Sequence, residues 1–288
     1  MTKPAIKSAF ITGSASGIGE GLVNKLQQQG WQVFAGYRST DPAKSSWYGK
    51  DNVIPVQCDV TNPAHIAHAK QLIANESNEQ LDLLINNAAY SGNSGVIEAV
   101  DLDDYRKTFE INFWGPLLLC RELMPLLRNS RGRIINTTSA SIYLTIPMGS
   151  SYPVSKTALD ALTRHLRMEM APFGVEVTAL APGGVETPMT QLGETVSEQQ
   201  WQAIPEPLRK QYRSQFVDGA SAVSDNFKLY SPEAFADRVY RQIITARKLK
   251  PGYLIGPGVA PLPWLHRLLP VQQVENIWLK MFSARSQN

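Results

Sequence analysis

The chain has 288 residues, 43% of them hydrophobic, and a formal net charge of +3, which suits one large α/β domain over residues 1–288 better than two small ones. The near-balanced charge and the lack of a long basic run argue against nucleic acid as a partner, and Cys58 and Cys120, the only cysteines, are too few for a disulfide framework or a zinc site. The opening stretch MTKPAIKSAF has no apolar core of signal-peptide length, and no run of about eighteen apolar residues occurs, so a cytoplasmic, soluble enzyme without a membrane span is expected.

In chain order, residues 9–12 form a short apolar strand candidate. Gly13-Ser-Ala-Ser-Gly17-Ile-Gly19 follows, and then a helical pattern over 20–29 with Leu22, Val23 and Leu26 on one side and Gly30 as its stop. Strand, glycine turn and helix are the context of a dinucleotide site, because glycines let backbone approach a pyrophosphate and a helix N-terminus offers unpaired N–H groups. The spacing departs from Gly-x-Gly-x-x-Gly, and a glycine turn with no ligand is the other reading. Residues 31–36 give the second strand. Tyr37 stands where an acidic residue would bind the adenosine ribose of NAD, and Arg38 beside it matches a 2′-phosphate; an exposed loop arginine is the alternative.

Residues 53–57 form a third strand leading into Cys58-Asp59-Val60. Asn62-Pro63 opens a helix as cap and first-turn proline. His65 and His68 on it read as a solvated face rather than a metal pair, and no metal is expected. Residues 81–86 form a fourth strand running into Asn86-Asn87-Ala88-Ala89. Residues 101–128 read as one long helix, with Asn112 inside the apolar stretch FEINFWGPLLL. A buried Asn must hydrogen-bond something, as a structural tie or as part of a polar relay.

Around Ile134–Ile135 a buried strand leads to Ser139 at its carboxyl end, where open α/β sheets place ligands. Tyr152 and Lys156, four apart on a helix over 152–171, share one face. An ammonium beside a phenol of free pKa about 10 favours the phenolate and eases proton exchange. Alone the pair is weak, and a half-buried Tyr with a solvated Lys is the bland alternative. Residues 175–181 form a near-continuously apolar strand, and 188–230 a polar stretch read as a substrate loop with short helices. A helix over 231–246 and a last strand over 252–255 follow. The segment 262–288 carries Trp264, Leu268, Val271, Trp278 and Phe282 with Arg267 and Lys280. It could roof a lipophilic pocket, enter an oligomer, touch a membrane surface peripherally or pack on the domain.

With these pieces assembled, residues 8–190 resemble the short-chain dehydrogenase/reductase family. Thr12-Gly13-x-x-x-Gly17-x-Gly19 looks like its cofactor turn and Asn86-Asn87-Ala88 like its central-strand motif, with Ala89 in place of the usual Gly. Asn112, Ser139, Tyr152 and Lys156 match its catalytic four, and Pro182-Gly183 followed by Thr187 matches the segment that closes over the nicotinamide. The tail loosely resembles the steroid, retinol and acyl-dihydroxyacetone-phosphate reductase branch.

The resemblance implies a doubly wound Rossmann domain of about seven parallel strands with helices on both faces. It implies hydride transfer between NADP(H) and a lipophilic ketone, aldehyde or alcohol. Tyr152 would exchange the proton, and Lys156 would lower its pKa and hold the nicotinamide ribose. Ser139 would bind the substrate oxygen, and Asn112 would hold a water linking Lys156 to solvent. Gly13, Ser16, Gly17, Ile18, Gly19, Tyr37, Arg38, Asp59, Val60, Asn87, Ala88, Tyr152, Lys156, Pro182, Gly183, Val185 and Thr187 would contact the cofactor. A homo-dimer or homo-tetramer is implied as well. Ser141, Tyr143 and Ser151, near competitors for polar roles, rank as pocket lining or structure. An NAD-dependent alcohol dehydrogenase, a non-catalytic nucleotide-binding regulator and a sugar-nucleotide epimerase are the other readings.

Overall fold

The structure, a computed structural model, describes residues 6–283 except 94, 146, 148, 193–201, 203 and 213–227. Seven short strands form one sheet: β1 Ser8–Ile11, β2 Gln32–Tyr37, β3 Val53–Gln57, β4 Leu83–Asn86, β5 Arg133–Thr137, β6 Glu176–Pro182 and β7 Gly252–Ile255. Their order is β3-β2-β1-β4-β5-β6-β7, and every neighbouring pair is parallel. The central strands are apolar on both sides because helices cover both faces. Ala9, Ile11, Leu83, Ile85 and Ile135 face one core with α1 (Gly17–Gln28) and the helix Pro232–Val239. Phe10, Leu84, Ile134 and Val177 face the other, with α2 (Pro63–Glu76) and α4 (Gly115–Ser130). Successive side chains thus alternate between two dry layers, as a period of two requires.

The strands and helices of the sequence reading are present, with ends shifted by one to three residues. α1 starts at Gly17, so two of the glycines lie inside its first turn. The single helix read over 101–128 is the main correction. It is broken into α3 (Leu102–Phe109), a π turn (Glu110–Trp114) and α4. Pro116 supplies the reason: it has no N–H, so the carbonyl of Asn112 has no α-helical donor four residues on, and the ladder widens there. The helix Pro232–Val239 also runs into a π turn, Tyr240–Ile244. Of the 188–230 stretch the described parts hold the short helices α6 (Pro188–Leu192) and Glu206–Tyr212, and the polar run at 199–200 lies outside the described residues. α5 (Ser151–Met170) crosses from β5 to β6.

Asn62 caps α2, its side-chain oxygen accepting from Ala64 N at 2.9 Å and His65 N at 3.4 Å. Asn62→Ala removes that acceptor at a cost of about 1 kcal/mol. Thermal unfolding should move down by about 2–4 °C, with the site chemistry untouched; an unchanged melting temperature would show that the cap contributes nothing.

Candidate functional site

At the carboxyl end of β1 the backbone turns sharply to enter α1. Gly13 and Gly17 have φ of +66° and +55°, a region that disfavours side chains. A Cβ on Gly13 would lie 2.8 Å from Ala88 Cα, one on Gly17 2.8 Å from Thr187 Cγ2, and one on Gly19 2.1 Å from the Gly13 carbonyl oxygen. The turn is thereby held against two other predicted segments. Thr12 fastens the first: its Oγ1 accepts from Asn87 N and Ala88 N, both at 3.0 Å, while Asn87 Nδ2 donates to Thr12 O at 3.0 Å. Ser16 stands at the N-cap of α1 without a capping side-chain bond, leaving the helix end suited to an anion. Ile18 packs into the core.

The ends of β2 and β3 lie next along this edge of the sheet. Half-buried Tyr37 ends β2, and its carbonyl accepts from Cys58 N at 2.7 Å. Arg38 is exposed. Burial pushes the Asp59 carboxyl up, but hydrogen bonds from Thr61 N and Oγ1, with the charges of Arg38 and His65, outweigh it and hold the group below its ordinary value. His65 is not merely solvated: its Nδ1 accepts from Asp59 N at 3.2 Å. The Val60 side chain is buried, in contact range of Gly115 where α4 begins.

The proton-transfer end is set by β5. Thr138 N donates to Leu180 O of β6 at 2.7 Å, so Thr137 points the other way, toward β4, which has already ended at Asn86. Its carbonyl is therefore open to a side chain, and Lys156 Nζ donates to it at 2.8 Å. Lys156 is 1% exposed, and burial pushes its ammonium down to about 7. Tyr152 lies one turn before it, with the Lys156 nitrogen 5.7 Å from its ring centroid. Burial pushes the Tyr152 phenol up, and a hydrogen bond with Ser139 draws it partly back. Taking both groups out of water disfavours both charges, and Ser139 counters this at the phenol. Ser139 Oγ also accepts from Ser141 N at 3.1 Å, capping the short turn Ala140–Tyr143.

Asn112 is fully buried in the π turn. Its Oδ1 accepts from Tyr90 N at 2.8 Å, and its Nδ2 donates to Tyr90 O at 2.8 Å and to Ser155 Oγ at 3.0 Å. Ser155 in turn donates to Tyr152 O at 2.7 Å. The side chain is thus a structural tie, and the feature left for a relay is the carbonyl that Pro116 deprives of its helical donor. The sequence reading gave no role to Tyr90, Ser155 or Pro116, and named Thr12 only as the first residue of the glycine motif. Only Pro116, four residues after a buried Asn, carried a readable signal.

On the other side, Pro182 ends β6, and Gly183 N donates to Ile255 O at 2.8 Å. Val185 is buried and bridges to Tyr230. Thr187 pairs with Thr190, whose Oγ1 accepts from Thr187 N at 2.9 Å. The tail reaches the same edge: His266 Nε2 donates to Tyr143 O at 2.6 Å. Its helices, Leu262–Leu268 and Val271–Ser283, bury Val274 yet leave Trp264 60% and Leu268 72% exposed; the side chain of Phe282 and residues 284–288 lie outside the described residues. Among the described residues no helix is long and apolar enough to cross a membrane.

The glycine cradle, the uncapped end of α1 and the cation at Arg38 fit a dinucleotide, with the phosphates at the turn and the adenosine toward Asp59. Thr137 Oγ1, buried and without a hydrogen-bond partner, stands beside Lys156's acceptor as a further polar group at this edge.

A family model described as short chain dehydrogenase matches residues 7–197. The chain is 33% identical to the NADPH-dependent 1-acyldihydroxyacetone phosphate reductase of Schizosaccharomyces pombe, over 89% of this chain and 84% of that protein. It is 33% identical to retinol dehydrogenase 5 of Mus musculus, over 73% and 67%. Its fold matches a short chain dehydrogenase from Burkholderia cenocepacia solved in complex with NADP, with a TM-score of 0.73 and 25% identity over 95% of this chain and 97% of that one.

The buried ammonium has a consequence for stability. With its folded value at about 7 and an unfolded value near 10.4, the unfolded chain binds more protons than the folded one between those limits. Stability of the cofactor-free protein should therefore gain a contribution that rises with pH across that window. Lys156→Met should flatten this slope in urea titrations run from pH 7 to 10. An identical slope in wild type and variant would mean that the ammonium is not held as described.

Proposed function

Because the chain belongs to the short-chain dehydrogenase family, we propose that it is an NADP(H)-dependent oxidoreductase that interconverts a lipophilic ketone or aldehyde with its alcohol, working chiefly as a carbonyl reductase. The observation that carries this reading is the convergence of Ser139, Tyr152 and Lys156 on the end of β5, on the same sheet edge as the glycine cradle. The bound nicotinamide supplies or takes the hydride. Tyr152 gives the carbonyl oxygen its proton. Ser139, already bonded to that phenol, donates to the same oxygen as negative charge develops there. Lys156, fixed by the Thr137 carbonyl, titrates near pH 7 and so can restore the Tyr152 proton without leaving its place. The Asn112 carbonyl, deprived of its helical donor by Pro116, would hold a water that links Lys156 to solvent.

Lipophilic substrates are supported by the relatives, whose names specify retinol and an acylated dihydroxyacetone phosphate. They are also supported by the tail, whose apolar residues lie next to the turn that follows Ser139. NADP(H) is favoured over NAD(H) by the adenosine end. Tyr37 brings no carboxylate to repel a 2′-phosphate, and exposed Arg38 offers charge-assisted donors to it. One such contact is worth about 1.5–3 kcal/mol, or about ten- to a hundredfold in preference.

Two measurements test this. Tyr152→Phe keeps the ring but loses the transferable proton. Turnover, followed as NADPH absorbance with a panel of aliphatic and aromatic ketones and aldehydes, should fall at least about a hundredfold, and a variant as fast as wild type would refute the assignment. Arg38→Leu should weaken NADPH by about ten- to a hundredfold and leave NADH nearly unchanged; a wild-type efficiency ratio favouring NADH would remove NADP(H) from the proposal.

A further inference from the structure

One carboxylate outside the catalytic set has both its oxygens committed. Asp104, half-buried on α3, accepts from the Tyr90 hydroxyl on Oδ1 at 2.6 Å and from Asn93 N on Oδ2 at 2.6 Å. Hydrogen bonds to a charged acceptor at such distances are the strong kind. They pin the loop that leaves Asn87-Ala88 and returns toward α3 at two points, Tyr90 and Asn93. Within that loop the backbone of Tyr90 is the clamp on Asn112, giving its N–H to Oδ1 and taking Nδ2, both at 2.8 Å. The same Asn112 amide reaches Ser155 Oγ, which donates to the Tyr152 carbonyl. An unbroken path of hydrogen bonds therefore runs from Asp104 through Tyr90, Asn112 and Ser155 to Tyr152.

We propose that Asp104 is a positioning residue for the reaction, acting through Tyr90 to fix the height and rotation of Asn112 in its π turn. Gly92 has a φ of +70°, and a Cβ there would come within 2.6 Å of Ser151 Oγ and Thr108 Oγ1, so the loop lies tightly against α3 and α5. Lys107, one turn on from Asp104, stands 4.7 Å from the Tyr90 ring centroid and holds the ring from a second side. Burial foremost, with the Asp104 bond next, pushes the Tyr90 phenol up to about 12, so Tyr90 stays a neutral donor throughout the working range and the path keeps one direction. Without the carboxylate the Tyr90 backbone can slide along α3. The Asn112 carbonyl then moves relative to Lys156, a kind of displacement that costs rate rather than affinity.

The inference rests on the reductase reading above, and the test separates the two. Asp104→Ala, Tyr90→Phe and the double variant are compared in the whole chain by hydrogen exchange at the Tyr90 amide and by NADPH-dependent turnover of the ketone reduced fastest in the panel, with Tyr152→Phe as a reference. Both single variants should exchange the Tyr90 amide faster and lower kcat by about tenfold, with the KM for NADPH changed less than about twofold. The double variant should be no slower than Asp104→Ala, because one path is cut in two places. Tyr90→Phe keeps the ring packing and so covers the case in which Asp104→Ala folds poorly. Unchanged Tyr90 exchange, unchanged kcat despite faster exchange, or additive losses in the double variant would each overturn the proposal while Tyr152→Phe stays inactive. Wild-type turnover in Tyr152→Phe would instead overturn the reductase reading, and the positioning role with it.

Discussion

An ammonium group held out of water against one backbone carbonyl is the constraint around which this molecule is arranged. Isolating a charge in that way costs several kcal/mol unless partners are exact in place, and Lys156 has Thr137 O at 2.8 Å. That carbonyl is available only because β5 runs past the end of β4. Its availability in turn depends on Asn87 and Ala88 leaving the sheet to bond Thr12. The stub of a strand, the glycine turn and the lysine are thus one arrangement seen from three places.

A buried polar ladder keeps that arrangement in register. Asn86 Nδ2 donates to Asn136 Oδ1 at 2.8 Å, and Asn136 Nδ2 to Thr163 Oγ1 at 2.9 Å, which donates to Leu159 O at 2.6 Å. Asn86 and Asn136 are paired neighbours on β4 and β5, and Thr163 lies two turns beyond Lys156 on the same face of α5. The ladder therefore sets how far α5 slides along β5, and so whether Lys156 meets Thr137. Side-chain bonds of this sort add little net stability each, but a slip of α5 by one turn would break the Asn136–Thr163 and Lys156–Thr137 bonds together.

Much of this was legible in the residues. Apolar runs flanked by glycine and proline gave the seven strands, and Gly13, Gly17 and Gly19 announced the turn because no larger residue fits there. Tyr152 and Lys156 followed from helical spacing. What was hidden has a common physical character. Tyr90 acts through its backbone, Thr12 through a hydroxyl that caps a loop distant in sequence, and Asp104 through a loop that carries no pattern of its own. The break at 110–114 was missed because hydrophobic periodicity continues across a π turn, whereas the missing N–H of Pro116 was the signal that outweighed it. Sequence shows neighbours but not burial, and burial is the larger effect on the charges of both Tyr152 and Lys156.

The bond from His266 to Tyr143 spans 123 positions of sequence, and it gives the molecule a history as well as a shape. Chains emerge from the ribosome N-terminus first, and their parts begin to fold in that order. The glycine turn, the adenosine end and Lys156's strand are all encoded before residue 190, whereas the turn behind Ser139 waits for a contact encoded much later. A nascent chain would therefore acquire a nucleotide cradle first and a finished substrate side last. Of all the parts of this edge, the one that the tail touches is the last to be completed.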